Sequence, residues 1–285
     1  MDQIKPEILY VVGAGRSGTT LVDILLGNVS NFESCGELNR YGKREGNPPG
    51  LESGEVFEYW SEIRKEMVSE FGESFHEEMK ELSDEFEYHK GYMKSIISKP
   101  NSKFDRYQEL NKRLLEIVGS KNPGKTLIDS SKYPGRLNHL VGMGFNVKAV
   151  YIKRNPVDVV ESFQKKGLEQ PTKHWLLAAI YCASVGFLVN ITKRRLADKI
   201  VWKKLDYNQL TQDPSKAFQS LSPIVSNEEI EKLVVTQQTN KDYKVGRLFD
   251  GNRIRLNTAL KLKLSESRSK KSLKSGIIKL LNAPF

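Results

Sequence analysis

A strand, a glycine-rich loop and a helix start follow one another near the N-terminus, and together they constrain the fold more than any other feature. Residues 8–12 (ILYVV) are apolar and mostly β-branched or aromatic, which predicts a buried strand. Gly13 and Gly15 then mark a tight loop, and the apolar run from Leu21 predicts a helix. The free N–H groups of a first helical turn and the helix dipole favour an anion at this point.

The loop, GAGRSGTTL, carries its own cation. Its spacing from Gly13 to Gly18 matches the phosphate-binding P-loop pattern, but Thr19 stands where nucleotide triphosphatases and kinases have their lysine. Arg16, inside the loop, supplies a forked guanidinium instead. The candidate anion contacts of this segment are Gly15, Arg16, Ser17, Gly18, Thr19 and Thr20.

This loop resembles the 5′-phosphosulfate loop of the sulfotransferase family, particularly of its carbohydrate, protein-tyrosine and bacterial branches. The resemblance implies 3′-phosphoadenosine 5′-phosphosulfate (PAPS) as donor, adenosine 3′,5′-bisphosphate as product, and no metal. It also implies an α/β fold of three layers (α/β/α) with a central parallel sheet. Strand and helix patterns that alternate along the chain predict the same architecture.

Two further segments resemble the catalytic positions of that family. In SCGELNRYG, Glu37 matches the family's general base, which an acceptor hydroxyl needs because it is a poor nucleophile until its proton is taken. Glu33 and Glu45 are nearby competitors for that role. In DSSK, Lys132 matches a lysine that points at the oxygen bridging sulfur and the 5′-phosphate. The apolar run ending in Asp129 also resembles a weak Walker B element, which would hold Mg²⁺ in a nucleotide hydrolase.

A second cationic turn follows a later strand. Residues 147–152 predict that strand, Arg154 comes directly after it, and Ser162 lies on the following helix. This pair resembles the family's 3′-phosphate motif, although Asn155 and Val157 replace an Asp and an Arg that are common there. Guanidinium suits bidentate phosphate recognition. The family's C-terminal segment, which closes over the nucleotide, is matched by Gly251, Asn252 and Arg253.

The chain is interpreted as a single domain, residues 1–285, with two regions outside the resemblance. Residues 45–120 contain three helical patterns and many acids, and they predict a helical insertion that caps the fold or shapes the acceptor pocket. The tail, residues 260–285, mixes basic and apolar residues. It fits either a peripheral helix on a membrane surface or acidic partner, or a solvated tail.

Composition and charge limit the ligands, metal sites and locations that are expected for the chain. A net charge of +10 fits an anionic ligand, a nucleic acid or an acidic surface. The two cysteines, Cys35 and Cys182, form no C-x-x-C motif, so neither a disulfide framework nor a zinc site is expected. The first strand begins too early for a secretory segment, and we expect no bilayer-spanning run. These observations predict a cytoplasmic protein.

The sequence therefore predicts a sulfotransferase that moves a sulfuryl group to the hydroxyl of a carbohydrate, a tyrosine or a small alcohol. Glu37, Lys132 and Arg16 are its candidate catalytic residues, and no nucleic-acid partner is expected. Two alternative functions stay open. A P-loop kinase or nucleotide hydrolase would bind ATP with magnesium, whereas a non-catalytic module would bind polyanions through the basic C-terminal region.

Overall fold

The computed structural model describes residues 5–97, 101–165, 172–264 and 272–283. Seven strands lie in this part of the chain: β1 (Ile8–Gly13), β2 (Phe32–Gly36), β3 (Thr126–Lys132), β4 (Val147–Lys153), β5 (Val201–Asp206), β6 (Tyr243–Lys244) and β7 (Ala259–Leu260). The first five form one sheet in the order β2-β3-β1-β4-β5, and every neighbouring pair is parallel. The last two form a short antiparallel ribbon. The predicted parallel sheet is confirmed.

Twelve α-helices accompany the strands in the described residues. They are α1 (Thr19–Leu26), α2 (Glu55–Phe71), α3 (Phe75–Phe86), α4 (His89–Ile97), α5 (Ser102–Ser120), α6 (Pro134–Gly142), α7 (Pro156–Gln164), α8 (Trp175–Arg195), α9 (Tyr207–Gln212), α10 (Pro214–Gln219), α11 (Asn227–Gln238) and α12 (Leu273–Asn282). Proline at the first position of α6, α7 and α10 suits a helix start, because the missing N–H would have no partner within the helix.

Alternation along β1 separates the two faces of the sheet. Ile8, Tyr10 and Val12 belong to one core, which they share with buried residues of α2, α3, α5, α6 and α8. Leu9 and Val11 belong to a second core, which they share with α1, α10 and α11. Helices therefore cover both faces, as the three-layer prediction requires.

The helices of the predicted insertion are part of one of these layers. Trp60 and Phe75 are fully buried in the same core as Ile8 and Tyr10. Apolar packing therefore joins residues 45–120 to the sheet. Their acidic side chains largely face water, as the sequence indicates.

A buried ionic network also ties the insertion to the sheet. Arg136, on α6, is inaccessible to solvent and donates to Asp129 of β3 (2.7 Å), Glu87 (2.8 Å) and Asn111 of α5 (2.7 Å). Tyr107 donates to the same Glu87 oxygen (2.8 Å). Burial without a partner would be very costly for each charged group, so these contacts hold the insertion in one position.

Helix α8 exposes part of its apolar surface. Ile180 and Phe187 are 48% and 47% exposed, whereas Val185 and Val189 are buried. An apolar pattern on every side of a helix does not indicate which face is inward. By length and composition α8 is also able to cross a membrane, contrary to our expectation of no such run, although 44% of that stretch is buried and α8 packs against α6, α7 and β1.

Candidate active site

The predicted site residues converge on one cavity of about 850 Å³ beside the carboxyl ends of the parallel strands. This is the edge at which such sheets bind ligands. Ten of the thirteen predicted site residues line it: Arg16, Gly18, Thr19, Thr20, Glu37, Lys132, Arg154, Ser162, Gly251 and Asn252. The strand order explains the convergence, because β3, β1 and β4 are neighbours and each ends at a predicted segment.

The loop after β1 has a backbone shape that needs glycine at one point. Gly18 has φ of +102°, and a Cβ there would lie 2.6 Å from the ring of Tyr207. Arg16 also has positive φ, +68°. The N–H of Gly15 donates to the Tyr181 hydroxyl (2.9 Å), and burial raises the pKa of that phenol to about 12, so it stays protonated.

Two predicted loop residues lie outside the lining of the main cavity. The Gly15 N–H is directed to Tyr181, as described above. Ser17 is 1% exposed and lines a small neighbouring space of about 50 Å³ with Arg154. Within the described residues the Ser17 hydroxyl has no hydrogen-bond partner.

The two candidate catalytic side chains contact each other. Glu37 follows β2 and is 4% exposed, and Lys132 ends β3 and is 6% exposed. The Lys132 ammonium donates to Glu37 Oε1 (2.5 Å), while Arg40 Nε lies 3.0 Å from Glu37 Oε2. Burial alone would lower the pKa of Arg40, but the carboxylates of Glu37 and Asp250 raise it above its usual value.

The backbone around Glu37 is held from two sides. The Gly36 N–H donates to the Asp23 carboxylate (3.0 Å), and the Glu37 N–H donates to the Asp250 carbonyl (3.1 Å). Asp23 lies on α1, and its carboxylate also accepts from the Ser130 hydroxyl (2.6 Å). Burial raises the pKa of Asp23 to about 7. The buried carboxyl thus links the phosphate-loop helix to the strand that delivers Glu37.

The second cationic turn lies against the first. Arg154 donates from Nη1 to the Arg16 carbonyl (2.9 Å), and its guanidinium lies 4.3 Å from the centre of the Tyr207 ring. Its Nε is buried without a hydrogen-bond partner among the described residues. Ser162 lines the same cavity from α7. Asn155 accepts from the Val157 N–H (3.0 Å), so it caps α7 as an aspartate would.

The C-terminal segment closes over the loop only in part as predicted. A Cβ on Gly251 would lie 3.0 Å from Thr20 Oγ1, and the Asn252 N–H donates to that same oxygen (3.1 Å). Arg253, in contrast, is exposed and is not among the residues that line the cavity. Lys261 and Lys263 line it instead. A sequence motif does not fix the direction of side chains that follow a turn, so it did not indicate which of these cations reaches the cavity.

Sequence reasoning missed three more residues of this site. Arg40 and Arg44 line the cavity, and both contact the buried carboxylate of Asp250 (3.4 and 2.9 Å). Tyr207 also lines it. The sequence does place Arg40 three residues after Glu37, which was an available signal for their ion pair.

Asp129 lies on the strand end where a Walker B carboxylate would hold a metal, but its side chain is used elsewhere. It is fully buried and accepts from Arg136 and from the Ser131 N–H (3.0 Å) and hydroxyl. This carboxylate is therefore part of the core network. Nor do the described residues contain a group of three or more His, Cys, Asp or Glu side chains that could hold a metal ion.

Comparison with protein-family models identifies one family. A family model described as "Sulfotransferase family" matches residues 6–223, a range that includes residues 45–120 and ends before Gly251. No curated protein matches the chain.

Three solved structures were compared with the chain. The sulfotransferase domain from the curacin biosynthetic pathway is 17% identical, with a TM-score of 0.49, over 98% of each chain. The sulfotransferase domain from the Synechococcus PCC 7002 olefin synthase is 18% identical, with a TM-score of 0.49, over 99% of this chain and 97% of that one. Sulfotransferase STF9 from Mycobacterium avium is 14% identical, with a TM-score of 0.47, over 82% of this chain and 68% of that one.

Proposed function

The chain belongs to the sulfotransferase family, and we propose that it transfers a sulfuryl group from PAPS to the hydroxyl of an acceptor. One observation carries this proposal. The cationic loop at Arg16 and the cationic turn at Arg154, 138 residues apart in the sequence, contact each other and line the same cavity. PAPS has a phosphosulfate at one end and a 3′-phosphate at the other. It therefore needs two cationic sites that are no farther apart than the length of the nucleotide.

The residues of the cavity fit such a donor. Its volume of about 850 Å³ lies within the usual range for ligand sites. Arg154 Nε is a buried donor without a partner in the described part of the chain. Because a buried polar group without a hydrogen bond is costly, it favours a ligand rich in acceptor oxygens. Arg16, Thr19 and Thr20 would hold the 5′-phosphosulfate, while Arg154 and Ser162 would hold the 3′-phosphate.

The bound donor would supply an activated sulfuryl group. Glu37 would accept the proton of the acceptor hydroxyl as that oxygen forms its bond to sulfur. The bond from sulfur to the 5′-phosphate oxygen breaks in the same step, and Lys132 and Arg16 would offset the charge that grows on the departing phosphate. The loop N–H groups are positioned by the fold, so they would need little reorganisation.

The Glu37–Lys132 contact has a consequence for this mechanism. While Lys132 donates to Glu37, its ammonium occupies a carboxylate oxygen that would otherwise be open to the hydroxyl proton of the acceptor. A donor phosphosulfate would compete for the Lys132 ammonium and release Glu37 to act as a base. Donor binding would thus precede activation of the acceptor.

The test is transfer of labelled sulfate from PAPS to a panel of sugars, phenols and small alcohols. A thermal-shift comparison of adenosine 3′,5′-bisphosphate with ATP plus magnesium should come first. We expect the bisphosphate to stabilise the protein without magnesium, and at least one acceptor class to gain label. Stabilisation by ATP with magnesium alone would contradict the proposal and would support the kinase alternative. That alternative is disfavoured by Thr19 in the lysine position and by the use of Asp129 within the core.

A further inference from the structure

Helix α12 turns its more apolar face away from the protein. It packs on α7 and α8 through Ile278, which is 1% exposed, and through Asn282, whose side chain donates to the Ala179 carbonyl (3.3 Å). On the other side, Leu273 and Leu280 are 84% and 75% exposed. The inward contact therefore uses one large apolar side chain, and the outward face has more.

The exposed apolar residues form a continuous stripe. At 3.6 residues per turn they fall within an arc of about 100° on the helix. The arc contains Leu273, Ile277, Leu280 and Leu281. Lys274 borders it and donates to the Gln164 side chain (2.7 Å), whereas Lys279 lies on the opposite side of the helix.

Such a stripe is unusual for a surface that meets only water. Single exposed leucines are ordinary, but a grouped apolar face indicates a surface that is covered by something else. The capping box at Ser272 and Ser275 defines the start of α12, so the arrangement is that of a formed helix. The neighbouring helix α8 also exposes apolar side chains, Leu177 (62%) and Ile180 (48%).

Charge identifies the kind of partner. Residues 265–285, beyond the two lysines that line the cavity, contain five Lys or Arg residues and one acidic residue, Glu266. A second copy of the chain would bring two such segments of the same sign together, which is unfavourable. Anionic lipid headgroups would instead complement the lysines while the leucines enter the acyl boundary.

We propose that α12 is a membrane-surface helix that lies in the headgroup region of an anionic bilayer, with its Leu273–Leu281 stripe directed into the lipid. This proposal is independent of the sulfuryl transfer, because the stripe is not part of the cavity lining. It describes where the protein lies and leaves the chemistry of the cavity unchanged.

Vesicle co-sedimentation of the full chain tests the proposal. The vesicles are phosphatidylcholine alone or phosphatidylcholine mixed with phosphatidylserine, at low and at high salt. We expect binding to the mixed vesicles, weakened by salt, and a loss of roughly tenfold or more in the double variant Leu273→Ser/Leu280→Ser. The matched control is Val235→Ser on α11, a position that is 52% exposed and should leave binding unchanged.

Three results would overturn the proposal. They are no binding to phosphatidylserine vesicles at low salt, binding that the double variant does not change, and equal binding to neutral vesicles. The other possible occupant of the stripe is a second copy of the chain, and sedimentation without lipid tests for it. A dimer of the wild type that becomes a monomer in the double variant would assign the stripe to that second copy. Thermal melting of each variant checks that it remains folded.

Discussion

Glu37 is a buried candidate base whose carboxylate is already paired with two cations. It is nearly buried, its backbone is fixed by Asp23 and Asp250, and its carboxylate lies between Lys132 and Arg40. Each carboxylate oxygen therefore lies against a cation, Oε1 against Lys132 and Oε2 against Arg40. A donor that draws Lys132 away would therefore change Glu37 from a structural partner into a catalytic group.

Replacing Glu37 tests that role directly. Glu37→Gln keeps the size of the side chain and removes its ability to take a proton. We expect bisphosphate affinity to change little and turnover to fall by about 10²–10⁴-fold, the usual contribution of general base catalysis. Calorimetry measures the affinity, and sulfate transfer measures the turnover. Glu45→Gln is the control at a nearby exposed glutamate, and an active Glu37→Gln variant would assign the base to another residue.

Asp23 predicts a measurable pH dependence of stability. Its pKa is about 7 in the folded protein, whereas an unfolded aspartate has a pKa near 3.9. Between these values folding takes up a proton, so this group makes the protein less stable as the pH rises, by up to about 1.4 kcal/mol per pH unit. Above about pH 7 both states are ionised and the dependence ends.

The variant Asp23→Asn should remove this dependence. The amide oxygen still accepts from Gly36 and Ser130, but it carries no proton equilibrium. Urea unfolding of both proteins at several pH values between about 4 and 8 measures the difference in their free energies of unfolding. Curves that remain parallel over this range would show that Asp23 is ionised in the folded state, contrary to the account.

At the scale of the elements, the buried network around Arg136 decides how the insertion is held. Arg136 joins β3, α5 and the segment after α3, and its partners Asp129 and Glu87 are fully buried. Removal of one member of a buried ionic group leaves the others without compensation, which typically costs about 3–5 kcal/mol. The network therefore fixes α3 and α5 relative to the strand that ends at Lys132.

Arg136→Met should accordingly lower the free energy of unfolding by about 3–5 kcal/mol. Arg106→Met is the matched control, since Arg106 lies on α5 and pairs with Glu78 at the surface (3.0 Å). Exposed pairs contribute about 0–1 kcal/mol. Urea unfolding compares the two variants, and equal losses would mean that the buried network has no special role.

Most helices and strands could be predicted from the sequence, and those that could not have physical reasons. Hydrophobic periodicity indicated α2, α3 and α5. It did not indicate α4, where Gly91 interrupts a short and weakly periodic stretch. Periodicity also does not indicate the exposed face of α8, because a helix that is apolar on every side has no pattern from which to choose. Such choices depend on tertiary packing.

At the scale of the whole molecule, the strand order produces the site. The sequence predicted a parallel sheet and the segments that carry cations, but no local signal states that β3, β1 and β4 are neighbours. That order brings Lys132, Arg16 and Arg154 to one edge from distant positions in the chain. Arg40 and Tyr207 joined the site through packing, so they were found only in the structure. The predicted cytoplasmic location stays a prediction.

The central claim is that the two cationic turns bind opposite ends of one nucleotide, and a calorimetric comparison of two ligands tests it most directly. Adenosine 3′,5′-bisphosphate and adenosine 5′-monophosphate are titrated into the wild type, Arg16→Ala and Arg154→Ala. We predict that Arg154→Ala weakens bisphosphate binding about tenfold or more, since a charge-assisted hydrogen bond contributes about 1.5–3 kcal/mol, and changes monophosphate binding little. Arg16→Ala should weaken both. Unchanged bisphosphate affinity in Arg154→Ala, or an equal loss for both ligands, would contradict the account.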